Sequence, residues 1–198
     1  SIEQQQAMSN EQRFDDGLRY LEADHRLIED YFRRIEQCDA FDEKKKLVGA
    51  MVAQISMHAS AEERHLYPLF RTHLKNGEVI ADRNVVDDQL NKEMMQLLLN
   101  MDPERDGALF DRTLQKFVMI EKEHLQQEEE WFIELRKCLS ATQLKQLESD
   151  IIVAKNNAPT FPHPMAPSKP STGASILHPI VGTLDRMADK VTGRTTSA

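Results

Sequence analysis

Cysteine is scarce in this chain of 198 residues: only Cys38 and Cys138 are present. Two thiols exclude a disulfide-stapled fold and suit a reducing cytosol, so a cytoplasmic protein is expected. Glycine and proline are also sparse, at seven and eight residues, and most of the proline falls after residue 157. That asymmetry separates a compact body from a tail. No apolar run approaches the ~20 residues needed to span a bilayer. The first residues, SIEQQQAMSNEQRF, are polar and do not read as a secretory signal. Basic residues are outnumbered, and the net charge of −8 argues against nucleic acid or an anionic membrane surface as partner. Aromatics are only 6%, but 40% hydrophobic residues suffice for a helical core in one domain.

What is present is helical periodicity. Leu18, Leu21, His25, Ile28, Phe32 and Ile35 recur at spacings of three and four, the mark of one buried helix face. Ser9 or Asn10 is the expected cap of this first helix, which should run to about Cys38. Asp42 is the expected cap of a second helix with a stripe of Leu47, Met51, Ile55, His58, Glu62, Leu66 and Leu69. Pro68 should kink that helix or end it early. Lys75-Asn76-Gly77 reads as a turn. A third helix is expected over about 82–101, with Val86, Leu90, Met94, Leu97, Leu98 and Met101 inward. A fourth runs from about 107 to 139 with Leu109, Leu114, Phe117, Ile120, His124, Glu128, Trp131 and Leu135 inward. Ser140 can cap a short fifth helix over about 141–155.

Four long helices with short connections predict an all-α fold, an antiparallel up-down-up-down four-helix bundle with a short fifth helix and a C-terminal tail. The bundle should occupy residues 10–155. Residues 156–175, NNAPTFPHPMAPSKPSTG and the next two, read as a Pro-rich linker. Residues 176–192 carry Ile180, Val181, Leu184, Met187 and Val191 at helical spacing. This short amphipathic helix either docks back on the body or engages a protein partner. The bundle topology also puts Cys38 and Cys138 at opposite ends, so no disulfide should join them.

The chemistry lies in a doubled pair: His58-x-x-x-Glu62 and His124-x-x-x-Glu128. Four residues are close to one turn, so each imidazole points the same way as its carboxylate. All four replace apolar residues in buried stripes. Glu is almost never fully buried unless paired or ligating, and burying a bare carboxylate costs several kcal/mol or more. A shared cation accounts for all four groups, and His25 adds a third imidazole. One such pair alone would be an ordinary helix-surface interaction; two in register make a carboxylate-bridged two-metal site inside a bundle. Nitrogen and oxygen donors without thiolate suit iron, manganese or zinc. His65, one turn beyond Glu62, is either a surface residue or a neighbour of the site. The methionines, nine in all, are read as core filler.

The segments DHRLIEDYFRRIE, HASAEERHLYPLF and EKEHLQQEEEWFIELR resemble the first, second and fourth helices of hemerythrin-like domains, over roughly residues 14–140. The resemblance implies a non-heme di-iron centre that binds O2, NO or peroxide. It implies His25, His58 and His124 as terminal ligands and Glu62 and Glu128 as bridges. Glu129 is a substitute for Glu128 or a residue supporting it. The third helix departs from the family pattern, which places at least one His there, whereas this chain has none between His73 and His124. Aligning the stripes of the first and third helices puts Asn91 at that position, with Asp87 one turn before it and Gln89 and Glu93 as other registers. Glu29, one turn after His25, can compensate by leaning inward. The departure favours a sensor or a redox-active site over oxygen storage, in gas sensing or in oxidative or nitrosative stress response. The alternatives are a small di-metal oxidase or peroxidase-like enzyme, an iron donor, or an interaction module with a degraded metal site.

Overall fold

The computed structural model describes residues 13–160 and residue 162. The chain divides into two units, Ser1–Ser168 and Lys169–Ala198, and every described residue belongs to the first. The expected amphipathic helix and most of the Pro-rich linker therefore lie outside the described residues, as do the expected caps Ser9 and Asn10.

The described residues are helical throughout. Helix α1 spans Gly17–Glu36 and α2 spans Phe41–Ala61. A π-helical turn, Glu62–Leu66, joins α2 to α3, Tyr67–His73. Helix α4 spans Gly77–Asn100, α5 Pro103–Cys138 and α6 Ala141–Asn156. Helices α1, α2 with α3, α4 and α5 form the antiparallel four-helix bundle. The connections of a few residues leave consecutive helices no choice but to pack side by side. Helix α6 lies against α1 and α2. Among the described residues, no helix is long and apolar enough to cross a membrane. Cys38 and Cys138 are both free thiols.

The helix starts differ from expectation in four places; α4 begins at Gly77 instead of about 82, and α5 at Pro103 instead of about 107. Helix α1 begins at Gly17, where the Asp16 side chain accepts from the amides of Leu18 and Arg19. Helix α2 begins at Phe41 behind Ala40, so Asp42 sits in its first turn instead of capping it. There its charge favours the positive end of the helix. Ser140 caps α6 as expected, in a reciprocal capping box with Gln143.

Two glycines permit close approaches. A Cβ at Gly17 would lie 2.7 Å from the amide nitrogen of Glu148, so glycine lets α6 cross the start of α1. A Cβ at Gly77 would collide with the Phe70 carbonyl, which fixes the turn between α3 and α4.

Pro68 does not stop the helix. Proline has no N–H, and its ring clashes with the carbonyl four residues back. The turn before it widens instead, and the Tyr67 amide bonds the Glu62 carbonyl. The inserted residue rotates the helix beyond it. Tyr67 and Phe70 become buried, while Leu69, expected inward, is half-buried.

The apolar layers flank a polar one. Along α1, Leu18 and Leu21 precede Asp24 and His25, and Ile28, Phe32 and Ile35 come after them, all buried. On one side Leu18, Leu21, Tyr67, Phe70, Phe132 and Leu135 share a core with Leu147 and Ile151 of α6. The inward faces of α4 and α5 are rotated relative to expectation. On α4 they are Ala81, Asn84, Asp88, Asn91, Met94 and Leu98, with Val86 exposed at 37%. On α5 they are Phe110, Leu114, Phe117, Glu121, Leu125, Glu128, Phe132 and Leu135, with Leu109, Ile120 and Trp131 only half-buried.

Candidate metal centre

Four side chains converge from three helices and the π turn: His25, His58, Glu62 and Glu128. One ligand atom from each lies within 4.8 Å of all the others, and all four residues are buried. His25 Nε2 is 3.9 Å from Glu62 Oε1 and 3.7 Å from Glu128 Oε2. His58 Nε2 is 3.0 Å from Glu62 Oε1, and the His25 and His58 rings sit edge-on with centroids 4.9 Å apart. His124 Nε2 lies on the far side of Glu128, 3.6 Å from its Oε1. It is also 3.5 Å from Oδ1 of Asp88.

The outer nitrogens of two imidazoles are already engaged. Nδ1 of His25 meets Glu129 Oε1 at 2.9 Å, and Nδ1 of His58 meets Asp24 Oδ2 at 3.3 Å. An ionised carboxylate only accepts, so Nδ1 donates in both rings, and Nε2 is the ring atom turned inward toward the cluster. Among the described residues those inward atoms have no hydrogen-bond partner: Nε2 of His25 and His58, and both oxygens of Glu62 and Glu128. The 3.0 Å approach of His58 to Glu62 does not meet hydrogen-bond geometry. Buried polar atoms without partners are costly, and this many at one point need a common partner. The set is nitrogen and carboxylate oxygen with no thiolate, so a hard or borderline divalent cation fits it.

The electrostatics point the same way. Burial alone pushes Glu128 well above the usual carboxylate range, and the neighbouring charges of Glu62 and Asp88 push it further. Burial and the charges of Glu62 and Glu63 likewise raise Asp88 well above its ordinary value. Burial opposes ionisation of Glu62 too, but His58 and His25 outweigh it and hold this carboxyl low. Burial pulls His58 down, yet Glu62 and Asp24 overcome it and raise the imidazole to about 10. Burial lowers His124 to about 4. Without a cation, then, the cluster holds protons in place of metal.

The remaining expected residues separate. Asn91 is buried with Oδ1 unpaired, while its Nδ2 donates to Oε2 of the buried Glu121. Asp87 is turned away and paired with Arg83 at 3.6 Å; one residue on, Asp88 takes the inward direction. Glu29 stays at the surface, paired with Arg26 at 2.8 Å. Glu129 is partly exposed and binds Arg26 as well as His25. His65 is half-buried and outside the cluster; Gln89 and Glu93 bond each other on the half-buried side of α4. Four functional neighbours are not foreseen from the sequence: Asp24, Asp88, Glu121 and Lys155. Glu121 has a signal, since it interrupts an apolar stripe three residues before His124.

A cavity of about 190 Å³ adjoins the cluster between α2 and α4. His58, Glu62, Asp88, Asn91, Glu121 and His124 line its inner end, and Pro159 and Pro162 border it. Burial raises Glu121 to about 7 against the opposing charge of His58.

The model of the hemerythrin HHE cation binding domain matches residues 16–135. The chain therefore belongs to the hemerythrin family, whose domain binds metal cations in a helical bundle. It is similar to a protein of the fission yeast Schizosaccharomyces pombe described as an uncharacterized hemerythrin-like protein. The two are 28% identical over 149 residues, covering 74% of this chain and 72% of the relative. No solved structure matches the chain significantly.

Proposed function

We propose that the chain is a non-heme di-iron protein that binds O2, NO or peroxide, in gas sensing or in oxidative or nitrosative stress response. One observation carries this reading: buried, partnerless nitrogen and carboxylate atoms converge beside a cavity. In this reading His25 and His58 would hold one metal and His124 and Asp88 the other, and Glu62 and Glu128 would serve both. Asp88 supplies oxygen where the family's third helix supplies imidazole, so the His124 side is poorer in nitrogen and more open. Iron held there supplies electrons and a coordination position that a small ligand can take. Manganese or zinc would fit the same donors; zinc has no redox chemistry, and the family resemblance alone favours iron over manganese.

The protein's own groups set the conditions. Asp24 and Glu129 fix the two imidazoles in one tautomer and orientation. Phe132 packs beside the His25 ring, with centroids 5.7 Å apart. Glu121, raised by burial to about 7, can carry a proton at the cavity wall, with Oε1 free for it because Oε2 accepts from Asn91.

A peroxidase-like enzyme is the second reading, and one feature favours it. Ser56 Oγ and Asn91 Oδ1 are buried, partnerless and part of the cavity lining. They can accept hydrogen bonds from peroxide, whereas O2 and NO have none to donate.

The test is metal content per chain with absorption spectra of the reduced protein and after air. About two irons with a new charge-transfer band in air support the di-iron reading. One metal or none removes it. Catalytic loss of added peroxide distinguishes the second reading from reversible binding.

A further inference from the structure

Lys155 is a buried lysine that the metal cluster does not touch. It stands at the end of α6, past the residues matched by the family, and is only 4% exposed. A lysine is almost never so buried unless paired. Its Nζ donates to Oδ2 of Asp24 and lies 5.4 Å from the centre of the Tyr20 ring. Asp24 is 2% exposed and is the hub. It accepts from Lys155, from His58 Nδ1 at 3.3 Å and from Gln54 Nε2 at 3.3 Å. Three helices, α1, α2 and α6, thus meet at one carboxylate directly behind a candidate ligand.

Stability does not account for this arrangement. Taking two charges out of water costs as much as their attraction returns, and apolar replacements of such pairs are often neutral or stabilising. Orientation does account for it. Asp24 aims the His58 ring only while its own oxygens are fixed in direction. The ammonium fixes that direction, and its positive charge tempers the effect of Asp24 on the basicity of His58. An outer partner of this kind sets both the direction and the donor strength of a ligating imidazole.

We propose that Lys155 is a positioning residue for the metal centre, acting through Asp24 to aim and tune Nε2 of His58. The inference rests on the metal-binding reading of the His–Glu cluster. It makes α6 part of the site instead of a packing element alone.

The test is cobalt(II) binding to the metal-free full chain, read by chelator competition and by the visible d–d spectrum. Circular dichroism and thermal melts of the same metal-free samples monitor the fold. Lys155→Met should keep the helical content, lose about tenfold in cobalt affinity and shift the d–d band. Lys155→Arg should restore both. Where Lys155→Met does not fold, Lys155→Gln keeps a donor on Asp24 without the charge and should show the same loss. A folded Lys155→Met or Lys155→Gln chain with wild-type affinity and an unchanged spectrum overturns the proposal and leaves the metal reading standing. Failure of the wild-type chain to bind cobalt overturns both.

Discussion

The Tyr67 hydroxyl donates to Oδ2 of Asp88 at 2.9 Å, which leaves Oδ1 of the same carboxylate facing His124. The bond exists because the π turn before Pro68 rotates Tyr67 into the core. A proline on α3 thereby fixes a carboxylate on α4. Tyr67→Phe should leave Asp88 Oδ2 buried without a donor, at a cost of about 1–3 kcal/mol in the metal-free protein. Urea unfolding at constant helical content measures it. A cost near zero would mean that the bond does not organise Asp88.

Glu62 and Glu128 are both fully buried, and none of their oxygens has a hydrogen-bond partner among the described residues. Glu62→Ala and Glu128→Ala should each lose metal, and with it the rise in melting temperature that metal gives, because binding and folding are linked. Elemental analysis of the purified variants is the measurement. Retention of two metals per chain by both variants would dismiss these residues as the shared ligands.

The His124 side should be separable from the His25–His58 side. Asp88→Asn is expected to release one metal and keep the other. Asn91→His restores an imidazole on α4 and should tighten the second metal and slow oxidation in air. Titration with a metallochromic chelator and the time course of the air-oxidised band report the two effects. If Asn91→His changes neither, an imidazole at that position does not reach the site.

Stability of the metal-free protein should fall as pH rises above about 6.5. His58 keeps its proton up to about 10 in the folded chain but loses it near 6.5 when unfolded. Its contribution is complete below 6.5 and lost as pH rises through the folded value. Asp88, Glu128 and Glu121, all raised, also bind protons in the folded chain that the unfolded chain has already released. They add the same sign. His124, lowered to about 4, opposes them only below 6.5, where the unfolded imidazole takes up a proton. Metal affinity should change in the opposite direction, since ligands must shed protons to bind. Chemical unfolding of chelator-treated protein at pH 6.5 and pH 8.5 tests the first effect. Calorimetry of metal binding in two buffers of different ionisation enthalpy tests proton release. A metal-free protein more stable at pH 8.5 would contradict the protonated state of the cluster.

Much of the site was legible because its key spacing is local. A His and a Glu four residues apart on a helix share a face whatever the rest of the chain does. The buried stripe of α1 likewise marked His25. On α4 the same reasoning slipped by one residue, selecting Asp87 where Asp88 turns inward. One residue is about 100° of helix rotation, and a stripe mixing Asp, Asn, Met and Leu does not fix its own face. Pro68 was recognised as an irregularity, but a widened turn and a break look alike in a sequence.

The amino-acid order alone determined the helical bundle, the Ser140 cap, and the two His–Glu pairs with His25, because these depend on contacts within a few residues. Tertiary structure decided what those groups meet. Asp24 and Lys155 are 131 residues apart and pair only because α6 folds back onto α1 and α2. Asp88 faces His124 only because α4 and α5 pack in one rotational setting, and Tyr67 reaches Asp88 only because of the π turn. Burial then gives these pairings their consequence. In water such charges would be screened to near indifference; inside the bundle each one needs a partner, a proton or a metal.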